Sequence, residues 1–385
     1  MAGCCLALAA ASGFDAARRY FLGQEGSIPP AMLAGNPQLR LESMEARLSD
    51  PAFVAAHADE IASLARASLR QEPLSPVALR NLALVSSDRV RPLLQMAAQV
   101  SRRDLRTQLG LIEIAVQQGD IALTLEHYDA ALSVHPPFRA TLYDRLVVAI
   151  EDKPVRDALL PYISRSWFAD FIAYAVHART NLNAVAQLLK QARPGLAVSE
   201  QERLSALLLQ AFVAQGEYGS ARSYLLTLPG ASPQLLREVG FQVSDPRFLP
   251  FSWVLNNDMD SRAEVDPAGV LKLELLSGKL KQIAARVTYW TPGSYELIQK
   301  VAYEAAAAPA QLRWQIDCLT SGQPGPVWKQ AVPVQEGEVT YRSIIHIPAN
   351  CTTQRWILSA QGDEAQQASL VQVQLTGFTK ATDHP

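Results

Sequence analysis

Apolar residues recur every three or four positions along the first part of the chain, and from about residue 246 they fall at every second position instead. From Pro37 to Gly240 alanine and leucine dominate, and the breaks fall at proline or glycine in short loops. A period of three to four places apolar side chains on one face of a helix, so this region predicts a stack of amphipathic helices. The clearest unit is "SRRDLRTQLGLIEIAVQQGDIALTLEHYDAALSVHP", residues 101–136: a helix, a Gly119-Asp120 turn, a second helix, then Pro136.

Neither helix of such a pair can bury its apolar face without a neighbour, and a pair of about 34 residues is the unit of tetratricopeptide repeats. The chain resembles that family here. Gly119 matches the turn, Tyr128 the large residue of the second helix, Ala131 the small residue at the close approach, and Pro136 the terminator. A second copy is read at "ERLSALLLQAFVAQGEYGSARSYLLTLPG", residues 202–230, with Gly216 at the turn and Ala221 at the small position. Between the two copies helical spacing persists while most of the signature is lost. The resemblance implies protein partners, docked in a groove lined by first-helix residues such as Arg106, Gln108 and Glu113; a solvated polar face is the simpler reading of those three. His57, His127, His135 and His177 have no second ligand at helical metal spacing and read as ordinary histidines.

After "VSDPRFLP" the period becomes two. Leu271, Leu273 and Leu275 alternate with Lys272 and Glu274; Leu312, Trp314, Ile316 and Cys318 alternate with Arg313, Gln315 and Asp317; Val371, Val373 and Leu375 alternate with Gln372 and Gln374. About nine strands are expected, enough for a two-sheet antiparallel sandwich. The stretches "PFSWVLNND", "TPGSYELIQKVAYEA", "LRWQIDC" and "LVQVQLTGF" resemble jelly-roll domains of carbohydrate-binding modules with a galactose-binding-like fold. The expected organisation is therefore an apolar leader and linker over 1–36, a helical repeat domain over 37–245, and a jelly roll over 246–385. The resemblance implies a fold more firmly than a ligand.

Sugar binding needs aromatic faces flanked by polar groups. On strand phase, Trp290 is expected on the face that carries Arg286 and Thr288, away from Ala285, Val287 and Tyr289, and is the candidate exposed ring. Packing of Trp290 against another element is the competing reading. Arg342 and His346 are expected to point away from Tyr341, Ile345 and Ile347. Trp253, Trp314 and Trp356 are assigned to the core, and Trp328 is left unplaced.

Cys318 falls on the core face at a strand end, and Cys351 lies in the turn before another strand. A disulfide is the leading reading, with two free thiols or a reactive cysteine beside His346 as alternatives. "NNDMDSRAEVD", residues 256–266, gathers Asn256, Asn257, Asp258, Asp260 and Asp266, the oxygen donors that calcium prefers. Asp258 and Asp260 are thus candidate ligands of a structural calcium ion, although the glycine and terminal glutamate of an EF-hand are missing. No other cofactor is expected.

The chain has 385 residues, 35 lysines and arginines against 37 acidic residues, and a net charge of -2, with no basic stripe to neutralise a phosphate backbone. Nucleic acid is excluded as an expected partner. No Gly-x-Ser-x-Gly, His-Glu-x-x-His, Gly-x-x-x-x-Gly-Lys or Gly-x-Gly-x-x-Gly motif occurs, so no enzyme activity is expected. "MAGCCLALAAASGF" is apolar over the length of a signal-peptide core but has no preceding basic residues, and looks like the tail of a longer targeting segment. Ala2-Gly3-Cys4 resembles the end of a lipobox, although the residues that follow are apolar. The expectation is a periplasmic or membrane-associated bacterial protein; a buried first helix in a cytoplasmic protein is the alternative. Two functions follow: a scaffold with protein-docking repeats and a glycan-binding jelly roll, accessory to polysaccharide assembly or export, or a structural protein whose sandwich caps the helices and binds no sugar.

Overall fold

The computed structural model describes residues 37–241, 245–276, 278–303, 311–320, 325–333, 335, 337–362 and 369–381. The leader, with Ala2-Gly3-Cys4, lies outside the described residues. The chain forms two compact units, the first ending at Leu196 and the second beginning at Ala197. Among the described residues no helix is long and apolar enough to cross a membrane.

The first unit is helical: α1 (Pro37–Met44), α2 (Pro51–Ala56), α3 (Ala58–Gln71), α4 (Pro76–Leu84), α5 (Val90–Val100), α6 (Leu105–Gln117), α7 (Ile121–Val134), α8 (Arg139–Ala149), α9 (Lys153–Leu159), α10 (Ser166–Ala178) and α11 (Leu182–Ala192). Asp104 and Asp120 start α6 and α7 by accepting bonds from Thr107 N at 3.0 Å and Leu123 N at 2.9 Å. Each satisfies an amide that the first helical turn leaves unpaired. Between these helices Gly119 takes φ +70°, a left-handed conformation that a side chain resists. Tyr128 and Ala131 are buried on α7, and Pro136 opens a 3-10 turn that ends the pair.

The second unit begins with α12 (Val198–Ala214) and α13 (Tyr218–Leu225), joined through Gly216 at φ +76°, with Ala221 fully buried. Among the described residues ten strands follow: β1 (Val254–Leu255), β2 (Ser261–Val265), β3 (Val270–Leu275), β4 (Lys281–Thr288), β5 (Gly293–Tyr303), β6 (Gln311–Cys318), β7 (Pro326–Pro333), β8 (Gly337–Ile347), β9 (Gln354–Gln361) and β10 (Ser369–Lys380). They form two five-stranded antiparallel sheets, ordered β1-β4-β9-β6-β7 and β2-β3-β10-β5-β8. The chain passes repeatedly from one sheet to the other, as in a jelly roll. The architecture is helical and then a β-sandwich, as the change of period predicts.

The sandwich core holds Trp253, Trp314 and Trp356 with Leu271, Leu273, Ile316, Val371 and Val373. Trp314 and Trp356 meet edge-on with centroids 5.8 Å apart. Trp328, opposite Ile316 on β7, packs half-buried against the same core.

Register corrects the phase expected for β4. Arg286 pairs with Trp356 and Thr288 with Gln354, and directly paired residues share a face, so Arg286 and Thr288 point inward. A register shift between Gln282 and Ala284 precedes them. Val287 and Tyr289 lie on the opposite side, and that side is apolar for a reason other than membership of the core. The segment after α13 lies along it: Tyr289 N donates to Leu236 O at 2.9 Å, and the Tyr289 hydroxyl donates to Tyr218 O at 2.6 Å.

Candidate functional site

In the second unit a cleft of about 450 Å³ opens beside the β4–β5 turn. One wall is α13 with Tyr218, Gly219 and Arg222, and the segment after it adds Arg237. The opposite wall is Tyr289, Trp290 and Thr291 from the β4–β5 turn, with Thr320 after β6 and Thr352 and Thr353 before β9. The cleft thus joins five separate pieces of sequence.

Trp290 anchors the wall from behind. It is 3% exposed, which corrects the expectation of a solvent-facing ring. Its ring stacks on Phe378 at 3.8 Å and meets Trp356 edge-on at 4.5 Å, while its Nε1 donates to Arg237 O at 2.9 Å. Both the ring and its N–H are therefore engaged. Arg286 is likewise buried, donating Nη2 to Leu235 O at 2.7 Å and to Phe251 O at 2.8 Å. Burial pulls its pKa down to about 10, with Glu238 acting in the opposite direction. Arg286 is a structural pin between the sandwich and the segment that follows α13, and it does not face a ligand.

The disulfide shapes the far wall. β6 ends at Cys318 opposite Gln354, the first residue of β9, and the turn before β9 brings Cys351 alongside. Cys318 and Cys351 are bonded, with Cα atoms 5.5 Å apart, within the usual range for a bridge. This settles the cysteines as a staple. Beside it, Thr320 Oγ1 accepts a bond from Thr352 N at 2.9 Å, so the threonines of two loops are held together. Buried Gln354 links the staple to the β4–β5 turn within the same wall: its Nε2 donates to Cys351 O at 2.7 Å, and its Oε1 accepts from Trp290 N at 2.9 Å.

Tyr289 supplies the aromatic surface. Burial raises its hydroxyl above the ordinary tyrosine value, opposed by the Arg222 guanidinium, which lies 5.7 Å from the ring centroid. Among the described residues neither aspartate nor glutamate lines the cleft.

Arg342 and His346 stand exposed on the outer face of β8, as strand phase predicts. Arg342 pairs with Glu296 at 3.1 Å, and His346 Nδ1 lies 3.3 Å from Ser294 Oγ. Their cross-strand partners on β5 are Ile298 and Ser294, so no aromatic ring adjoins them there. The structure does not bring Arg342 and His346 together with Trp290 and Arg286.

Asp258 and Asp260, in the β1–β2 turn, both bind Lys281 Nζ, at 2.8 and 2.7 Å. The hydrogen bond from Lys281, with those from Asp260 N and Ser261, holds the Asp258 carboxyl at about 2. An ammonium group thus occupies the charge complement that calcium would need. Among the described residues no cluster of three or more His, Cys, Asp or Glu side chains could hold a metal ion.

The helical unit has its own cavity of about 300 Å³ beside α4, α5 and α6. Leu48, Leu84, Leu94 and Leu109 line it with Arg80, Arg106 and Glu113. Arg80 bridges Asp104 and Glu45, the latter at 2.6 Å, and Arg106 also binds Glu45. Burial raises the Glu113 carboxyl. Gln108 is buried and meets His127 Nδ1 at 2.8 Å, so it belongs to the helix packing.

No protein-family model matches the chain, and no curated protein matches it. Among solved structures, the N-terminal cellulose-binding domain of Cellulomonas fimi beta-1,4-glucanase C is 11% identical, over 35% of this chain and 91% of that one, with a TM-score of 0.25. The CBM22-1 xylan-binding domain of Paenibacillus barcinonensis Xyn10C is 15% identical over 37% and 93%, with a TM-score of 0.23. A cowpea mosaic virus particle chain is also similar, at 16% identity over 25% and 60%, with a TM-score of 0.18. All three scores are below 0.5, so the fold assignment rests on the strand order and register above.

Proposed function

We propose that this chain is a non-catalytic binding protein whose second unit takes carbohydrate in the cleft between α13 and the β4–β5 turn. The observation that carries the reading is the cleft itself: an aromatic surface, Tyr289, with Thr291, Thr320 and Thr352 beside it, lies across from the guanidinium groups of Arg222 and Arg237. Apolar ring faces meet the C–H faces of a sugar, and fixed polar groups around them read its hydroxyls. The helical unit is assigned to protein partners, in the manner of tetratricopeptide repeats, with the left-handed turn at Gly119 and the close packing at Ala131 as its support. The Cys318–Cys351 bridge supports an oxidising, extracytoplasmic location. Together these favour an accessory role in polysaccharide assembly or export.

One observation favours the second reading, a structural protein that binds no sugar. The tryptophans described in the second unit are buried or half-buried, which leaves tyrosine as the ring available in the cleft. A glycan array probed with the full chain separates the two. The carbohydrate reading expects binding to one glycan class, lost in Gly219→Trp. Gly219 lines the cleft on α13, and a Cβ there meets nothing within 4 Å, so an indole is chosen to occupy the cleft, with an unchanged urea midpoint as the check that the fold is kept. An array blank at millimolar glycan, or binding that survives this substitution, would sink the cleft reading.

A further inference from the structure

The charge of the cleft narrows its ligand, and this step rests on the carbohydrate reading above. We propose that the glycan is anionic, bearing a carboxylate on its sugar ring, and that Arg222 and Arg237 receive that carboxylate. Both side chains are exposed, line the same cleft, and make no ion pair with a described residue. Lys281, Arg247, Lys272, Lys300 and Arg342 of this unit each pair with a carboxylate, while Arg262, Arg313, Lys329 and Arg355 on the strands make no ion pair with a described residue; what sets Arg222 and Arg237 apart is that both line one cleft. The cleft therefore gathers two exposed guanidinium groups, and none of the described residues that line it is acidic. Like charges in a concave wall add their potentials and draw an anion in.

Both arginines are also placed. Arg222 lies on α13 with its guanidinium 5.7 Å from the Tyr289 centroid. Arg237 is fixed at its backbone, because its carbonyl accepts the Trp290 indole N–H at 2.9 Å. A guanidinium fork matches a planar carboxylate through two parallel N–H bonds, more specifically than an ammonium does. A volume of about 450 Å³ exceeds what a lone oxyanion fills and falls in the range of small-molecule sites, about 300 to 1,000 Å³. The threonine hydroxyls on the opposite wall suit the remaining sugar oxygens.

The test is binding of the full chain to a galacturonate oligomer, its fully methyl-esterified form, and inorganic phosphate, by calorimetry at low and high salt. The two oligomers share a backbone and differ in charge. The expected result is at least tenfold tighter binding of the acid form, an advantage that shrinks as salt rises and disappears in Arg222→Gln/Arg237→Gln. Equal binding of acid and ester, both lost in Gly219→Trp, overturns the charge inference and leaves the carbohydrate reading standing. Displacement of the oligomer by phosphate at a similar concentration identifies a simple oxyanion site and overturns the assignment of a sugar carboxylate. If no glycan binds on the oligomer test or the array, both readings fall.

Discussion

Breaking the Cys318–Cys351 bridge should destabilise the second unit by an amount set by the chain it closes. The cysteines are 33 residues apart in sequence. In the chain-entropy treatment a loop of that length removes about 12.5 cal/mol/K from the unfolded ensemble, or about 3.7 kcal/mol at 25 °C. Cysteine sulfurs that remain in place after reduction keep their packing, so reduction isolates this contribution better than truncation does. The assay is urea unfolding taken to equilibrium with and without reductant, followed by tryptophan fluorescence, since five of the six tryptophans lie beyond residue 250. With a urea dependence of about 2.5 kcal/mol per M, the midpoint should fall by about 1.5 M. A Cys318→Ala/Cys351→Ala variant should start lower and ignore reductant. A fall of less than about 0.4 M, or an equal fall in the double variant, would refute the reasoning. Because the bridge also holds Thr320 beside Thr352, reduction should weaken glycan binding in the native protein.

Three further outcomes are expected. Arg286→Ala removes two hydrogen bonds from a buried cation and leaves the carbonyls of Leu235 and Phe251 without that partner, so the urea midpoint should reflect a loss of about 3 to 5 kcal/mol; a loss under 1 kcal/mol contradicts the pin. In the helical unit burial pushes Asp104 up, but the Arg80 charge and bonds from Arg80 and Thr107 outweigh it and hold the carboxyl below its ordinary value. Its native pKa is thus below its unfolded one, so its contribution is full above about pH 4 and is lost as pH falls through the lowered native value. Thermal melts followed at 222 nm should show an acid-side loss that is smaller in Arg80→Met. Calcium at millimolar concentration should leave the wild-type melting temperature unchanged and raise that of Lys281→Met, in which Asp258 and Asp260 lose their shared counter-ion; a rise in the wild type would support a calcium site there.

Much of the fold is legible in the sequence because burial there follows local period. The shift from three-to-four spacing to alternation marks the sandwich, and the alternation through Leu312, Trp314, Ile316 and Cys318 gives the correct core face, which is also how the staple becomes visible. Arg342 and His346 point outward as their phase requires. The same rule misassigns Arg286 and Trp290. An apolar row on a strand reports only that something covers it, and for Val287 and Tyr289 the cover is the segment after α13 rather than the facing sheet. The polar residues on the other side, Arg286 and Thr288, are inside, bonded to Leu235 O, Phe251 O and Gln354, with the buried Arg286 Nε left without a partner. The cleft was illegible for a different reason. Its groups, Arg222, Arg237, Tyr289, Thr320 and Thr352, come from five segments that only the tertiary structure assembles, and no spacing in the chain connects them.

Calorimetric titration of the full chain with the glycan selected on the array, beside the same titration of Gly219→Trp, tests the central claim most directly. The cleft account predicts saturable binding at one site per chain in the wild type and at least a tenfold loss in the variant, with the urea midpoint of the variant undiminished. Unchanged affinity in Gly219→Trp, or no saturable binding by the wild type, would contradict it.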